Sequence, residues 1–332
     1  MSIFDAEVLP ALAAMLSVAA FAGFSRCYEP LTRLTSPLTS SALLYSIAGS
    51  LLLVAAGLSA FFIDFTVDLP AVTEAFAVRL QTREAMIAMF AGLVVAMSIL
   101  YAIHIATEAY SRQTVNMGVY AILFQGHVIV LWLTDSVVHH HSVSGRQLLG
   151  GFLILGSGIG VLIAHQRGSV NGSHSPKAAV LGIFSAVACG LALYVDGEVG
   201  RYYIFTESLY DRFPAFLFYE SLTFGLPALC VLTALFARHR SLFPLHSLRS
   251  AFTRHPIQWT VAGALSATHF LFAVFALSFP GSRFTTAMIF STAPIANVIL
   301  DRNSRSSRIR AIEYALSASA SIGLFILLAY AN

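Results

Sequence analysis

The feature that most constrains this chain is a succession of apolar runs, each about as long as a helix must be to cross a bilayer. Spanning the hydrocarbon core takes about 20 mostly apolar residues. Ten such runs can be placed, at approximately 8–25, 40–64, 85–108, 114–134, 147–165, 177–196, 213–236, 257–279, 283–300 and 311–331. They are continuous rather than alternating, which argues against the short dyad-patterned strands of a transmembrane β-barrel. A soluble domain carries about 25% charged residues, whereas this chain has 11% charged and 57% hydrophobic residues. The mean hydropathy is +0.77. Too little polar material is present to cover a water-facing surface, so lipid is the expected solvent, and helices satisfy the backbone there. The connections are short and leave no room for a soluble domain. No basic segment precedes the first run, the first Arg being Arg26, so it reads as a retained helix rather than a cleaved signal. The expectation is an all-α, multi-pass integral membrane protein.

The polar stretch from Gln166 to Pro176 divides the chain into a first unit, 1–165, a linker, 166–176, and a second unit, 177–332, with five expected helices on each side. Landmarks recur in the same order at nearly the same spacing. Ala109, Arg112, Asp135 and Arg146 in the first unit answer to Ala276, Arg283, Asp301 and Arg310 in the second. An odd number of helices per repeat gives the two units opposite orientations, the inverted-repeat plan of many secondary transporters, with the site at the repeat interface. Gly156 and Gly160 in the fifth run, and Ser319 and Gly323 in the tenth, have the small-xxx-small spacing that lets helices approach closely. They suggest a seam, either between the halves or between two copies in a homodimer.

Orientation can be read from basic residues, which are retained on the cytoplasmic side. Thirteen of the 19 fall in connections after odd-numbered helices, and six (Arg79, Arg83, Arg146, Arg201, Arg212 and Arg283) after even-numbered ones. This places the odd connections in the cytosol and both termini outside. The bias comes from the second half. The sequon Asn171-Gly172-Ser173 lies in the fifth connection, which this count places in the cytosol, where it would not be glycosylated.

Several segments carry a family resemblance. Gly23 to Arg26 and then Ser36-Pro37 form a small and polar turn before a Pro-started second helix. Ala276-Leu277, Pro280-Gly281, Thr286-Ala287 and Ala293-Pro294 mark the eighth-to-ninth segment, and Arg146-Gln147-Leu148-Leu149-Gly150-Gly151 opens a closing helix. In these the chain resembles the drug/metabolite transporter superfamily, specifically its ten-helix EamA-type members. The resemblance covers nearly the whole chain as a pattern and implies transport of a small metabolite. It departs at the first-half counterpart of Pro294, which falls near Gln125. It departs again where the family has a glutamate before the closing helix, here His139-His140-His141 in one half and Arg305 to Arg308 in the other. The family also places both termini in the cytosol, opposite to the charge count.

Ionisable residues at membrane depth are costly and are the default functional candidates. Tyr101, His104 and Glu108 fall at i, i+3 and i+7, on one face of the third helix. The His–Glu pair could bind a polar substrate or pass a proton. Tyr219 and Glu220 open the seventh run, and Asp196 and Glu198 close the sixth; at opposite ends of a short connection these carboxylates could form a cation-attracting mouth on one membrane face, or stand as solvated charges at the edge of the connection. Gln125 and His127 in the fourth helix, and His269 in the eighth, set polar groups inside apolar runs, one such helix from each half. Arg26 could meet an anionic substrate or anchor the first helix. The scattered Cys27, Cys189 and Cys230 have no metal-type spacing, and adjacent histidines at 139–141 cannot all converge on one ion.

Together these features lead to a secondary carrier for a small polar metabolite, working by exchange or with a proton gradient. It is expected to need no cofactor or metal and to bind no nucleic acid, and no enzymatic motif is present. The competing reading is a membrane-embedded haem or redox enzyme ligating through His104, His127 or His269.

Overall fold

The structure is a computed structural model. It describes residues 3–61, 82–114, 126–139, 144–167, 176–205, 209–239, 243–279 and 283–293, and nine positions between 312 and 326. All regular structure among the described residues is helical. The elements are α1 (Ile3–Thr32), α2 (Pro37–Ala60), α3 (Arg83–Thr114), α4 (Gly126–His139), α5 (Gly145–Arg167), α6 (Pro176–Phe205), α7 (Leu209–His239), α8 (Phe243–Arg254), α9 (Pro256–Leu277) and α10 (Arg283–Phe290). The described positions from Ile312 to Ile326 are also helical.

Six of these helices, α1, α2, α3, α6, α7 and α9, are long and apolar enough to cross a membrane. The other four expected spans fall on α4, α5, α10 and the positions near 312–326, each of which runs into residues outside the description. Exposed apolar side chains line the long helices: Leu12 and Leu16 on α1, Leu53, Val54 and Leu58 on α2, Val95, Ile99 and Ile103 on α3. A soluble monomer rarely exposes so continuous an apolar surface; lipid suits it.

The helix starts are written in the sequence. α2 and α9 begin on Pro37 and Pro256, where a missing N–H costs nothing and φ is already helical. Ser36 caps α2, its Oγ accepting from the Thr39 N–H at 3.2 Å, one of the donors a helix start leaves unpaired. The helix ends differ from the expectation. α1 continues to Thr32, α3 to Thr114 and α6 to Phe205, and α7 begins at Leu209. The apolar runs measure the hydrocarbon thickness, but a helix keeps its internal hydrogen bonds beyond it. Asp196 and Glu198 are therefore not at the edge of a connection: both lie inside α6 and are buried. Tyr219 and Glu220 likewise lie well inside α7 rather than opening it.

α8 has no counterpart among the expected spans, being too short and too polar to be one. Its Leu248 and Phe252 pack on the core, and its Ala251 carbonyl accepts from Trp259 Nε1 at 3.2 Å. Two apolar positions four apart, with Arg249 and Arg254 exposed, suit a helix lying along a membrane surface.

The main helix contacts are α2 with α7, α1 with α9, α3 with α6, α4 with α6, α2 with α9 and α3 with α7. Close approach needs glycine at particular points. A Cβ on Gly190 of α6 would lie 2.7 Å from the His127 carbonyl oxygen of α4, and one on Gly323 would lie 2.7 Å from the Gly150 oxygen of α5. Gly160 of α5 faces Leu316 in the same way. Gly160 and Gly323 of the small-residue motifs thus lie at a contact between α5 and the positions 312–326. Gly156 has open space where its side chain would be.

Candidate functional site

The site is built around Asp196, fully buried on α6. Both of its oxygens accept phenolic hydrogen bonds. Tyr101 of α3 donates to Oδ2, and Tyr219 of α7 donates to Oδ1 at 2.7 Å. Met97 Sδ lies 3.2 Å from the Tyr219 oxygen. Glu220, beside Tyr219, is equally buried. Thr223 Oγ1 lies 3.3 Å from Glu220 Oε2, and among the described residues Oε1 has no hydrogen-bond partner. Both tyrosines are buried to within a few per cent. Tyr101 packs edge-on against Phe270 of α9 at 5.6 Å, and Phe270 against Phe224 of α7 at 5.3 Å.

A second polar layer adjoins it on α3. His104 Nε2 is 3.7 Å from Glu108 Oε2, both side chains being almost completely buried. Cys189 of α6 is buried two turns before Asp196, on the same face. His269 of α9 stands against Phe270, which packs on Tyr101. Each histidine is held by a serine through the same pair of contacts. Ser185 Oγ of α6 meets His104 Nδ1 at 2.9 Å and the His104 carbonyl at 3.2 Å. Ser17 Oγ of α1 meets His269 Nδ1 at 2.8 Å and the His269 carbonyl at 3.0 Å. A hydroxyl has one proton; donating it to the carbonyl leaves its oxygen to accept from Nδ1–H. In that arrangement Nδ1 carries the proton, and Nε2 of His104 faces Glu108.

A third cluster sits on the opposite face of α6, since Glu198 is two residues from Asp196. Arg283 Nη1 lies 2.8 Å from Asp135 Oδ1 of α4 and pairs with Glu198. Its Nε donates to the Leu277 carbonyl at 3.0 Å, and its guanidinium stands over the Tyr194 ring at 5.3 Å. By sequence Arg283 counts as a basic residue of a connection. It is buried instead.

Of the residues singled out from sequence, Tyr101, His104, Glu108, Tyr219, Glu220 and His269 are brought into these adjoining layers. His127 is buried on α4, where its backbone meets α6 at Gly190. Arg26 is exposed near the end of α1. Gln125, His140 and His141 lie outside the described residues. Among the described residues no group of three His, Cys, Asp or Glu side chains is arranged to hold a metal ion. Asp196, Ser17, Ser185 and the Arg283 cluster were missed as site residues. A signal for the last existed in the recurring Arg and Asp landmarks.

A cleft of about 610 Å³ opens at the end of the odd-numbered connections, lined among others by Thr39, Thr107, Tyr110, Leu235 and Arg238.

Fold and site define an all-helical chain with membrane-length helices and a buried acidic and aromatic centre. No family model matches the chain, and no curated protein does. A solved crystal structure of a protein superposes on 98% of this chain and 99% of its own length, with a TM-score of 0.58 at 17% identity. At that identity the likeness shows a shared fold over the whole length.

Proposed function

We propose that the chain is a secondary carrier for a small polar metabolite, working by alternating access between two inverted five-helix halves of a ten-span membrane protein. The observation that carries this reading is the composition of the buried centre. Tyr101 comes from the first half, Asp196, Tyr219 and Glu220 from the second, so the polar groups sit where two moving halves would meet. Buried polar groups at membrane depth are otherwise an unrewarded cost.

The contacts support the repeat. Exchange each helix for its expected counterpart in the other half, α1 for α6, α2 for α7, α3 for α9 and α4 for α10. The contact α1–α9 becomes α6–α3, α2–α9 becomes α7–α3, and α4–α6 becomes α10–α1. All six pack. The serine clasp follows the same exchange, since Ser185–His104 joins α6 to α3 and Ser17–His269 joins α1 to α9. The cleft near Arg238 suits an entrance on one side. With Arg283 buried, the basic bias toward the odd connections strengthens, and it supports a cytosolic side there.

The resemblance to EamA-type transporters points the same way. The haem reading has less behind it, since Nε2 of His104, the nitrogen a haem iron would take, faces Glu108 at 3.7 Å; a Soret band in purified protein would revive it. The test is efflux from proteoliposomes filled with amino acids, amines, sugars and nucleosides, read by mass spectrometry with and without an imposed pH gradient. Protein-dependent loss of at least one solute is expected, and a response to the gradient would select proton coupling over exchange. Retention of every solute under both conditions would overturn the carrier reading.

A further inference from the structure

The central cluster is acidic without a balancing base. Asp196 is bonded by Tyr219, the residue next to Glu220 on α7, and both carboxylates are fully buried. Among the described residues neither is paired with a Lys, Arg or His side chain. The buried Arg283 is committed elsewhere, to Asp135 and Glu198. An ionised carboxylate removed from water without a counter-charge is strongly disfavoured, so each of the two either holds a proton or meets a positive charge.

The remaining groups say what kind. Each Asp196 oxygen accepts one phenolic proton, which fixes the carboxylate and leaves acceptor capacity on both oxygens. Glu220 Oε1 has no partner among the described residues. Pro227 lies four residues beyond Thr223 within α7 and has no N–H, so the Thr223 carbonyl lacks its usual helical donor. Against these acceptors stand aromatic rings. Tyr101, Phe270 and Phe224 form a chain of edge-on contacts, continued by Tyr45 at 4.9 Å from Phe224. Ring faces attract cations and accept apolar substituents. A hard metal ion asks for six or more oxygens, and rings offer none. An anion would face two carboxylates.

We infer that the Asp196–Glu220 cluster is the seat of a small organic cation, an ammonium group with apolar substituents; the inference rests on the carrier reading. Its chemistry is tested with a matched set of probes that share one ring: benzyltrimethylammonium, benzylamine, benzyl alcohol and benzoate. Radiolabelled benzyltrimethylammonium should bind the purified full-length protein saturably in equilibrium dialysis. Benzylamine should compete, and benzyl alcohol and benzoate should not. Glu220→Gln keeps the shape and the Thr223 contact, and Asp196→Asn keeps the size. Each should weaken binding by about tenfold or more, with an unchanged size-exclusion profile. Glu84→Gln, an exposed carboxylate at the start of α3, should bind as wild type. If Asp196→Asn does not fold, Glu220→Gln alone carries the test. Equal competition by benzoate or benzyl alcohol, absence of binding, or wild-type affinity in a folded Glu220→Gln protein would overturn the inference. The two proposals fail separately. Metabolite efflux restricted to neutral or anionic solutes would remove the cation site and leave the carrier, whereas saturable cation binding without any flux would remove the carrier and leave the site.

Discussion

Removing Arg283 should be among the most damaging single changes in this protein. Its guanidinium lies 2.8 Å from Asp135, pairs with Glu198, donates to the Leu277 carbonyl at 3.0 Å and covers the Tyr194 ring. All three charged side chains are nearly inaccessible. Arg283→Met keeps the length and apolar stem but leaves two carboxylates facing each other across α4 and α6 in a dry site. Breaking a buried ion pair from one side costs about 3–5 kcal/mol, most of it the orphaned charge rather than the lost attraction. At roughly 2 °C per kcal/mol for a long chain, the midpoint of thermal unfolding in detergent should fall by roughly 6–10 °C. The triple variant Arg283→Met, Asp135→Asn, Glu198→Gln removes the orphaned charges and should recover more than half of that loss. Both are read by following intrinsic fluorescence on heating. An Arg283→Met protein that melts with wild type, or a triple variant no better than the single, would refute the view that uncompensated charge governs this cluster.

Gly190→Ala places a methyl 2.7 Å from the His127 carbonyl oxygen and should destabilise by about 1–3 kcal/mol through overpacking. Gly57→Ala, which meets open space, should be neutral or slightly stabilising in the same melts. Ser17→Ala and Ser185→Ala should each cost about 1 kcal/mol. Their effects should match and add, because the two clasps join different helix pairs; a large effect at only one of them would break the equivalence. Tyr101→Phe and Tyr219→Phe each remove one donor to Asp196 and should cut proteoliposome flux by about tenfold, while lowering melting by roughly 2–6 °C for about 1–3 kcal/mol of lost satisfaction.

Most of the helical framework was legible in the sequence because lipid imposes one strong requirement, long apolar runs with internal hydrogen bonds. The start of α2 was legible too, in Ser36-Pro37. The end of α6 was not. Asp196-Gly197-Glu198 and the following Gly200 read as a polar, glycine-marked exit from the membrane. In the fold those glycines are contact points. A Cβ on Gly197 would lie 3.0 Å from Leu277, and one on Gly200 would lie 2.8 Å from Val274, so α6 runs on and carries both carboxylates inside. Tyr101, His104 and Glu108 were recognised because their spacing lies within one helix. Asp196 with Tyr101 and Tyr219, and Arg283 with Asp135, are joined across 95, 23 and 148 residues of sequence, and spacing within one helix says nothing about such pairs. α8 escaped because a surface helix lacks the length and the unbroken apolarity of a span.

The native Cys189 offers the most direct test of alternating access. It is buried on α6 two turns from Asp196 and on the same face, at a depth both sides of the membrane would have to reach in turn. In a protein carrying Cys27→Ser and Cys230→Ser, Cys189 is the one remaining thiol. Sealed vesicles of each orientation would be treated with a membrane-impermeant thiosulfonate, and the modification followed by mass. A carrier that alternates should be modified slowly from either side, and faster from the side of the cleft near Arg238. Modification from one side only, or from neither, would contradict alternating access.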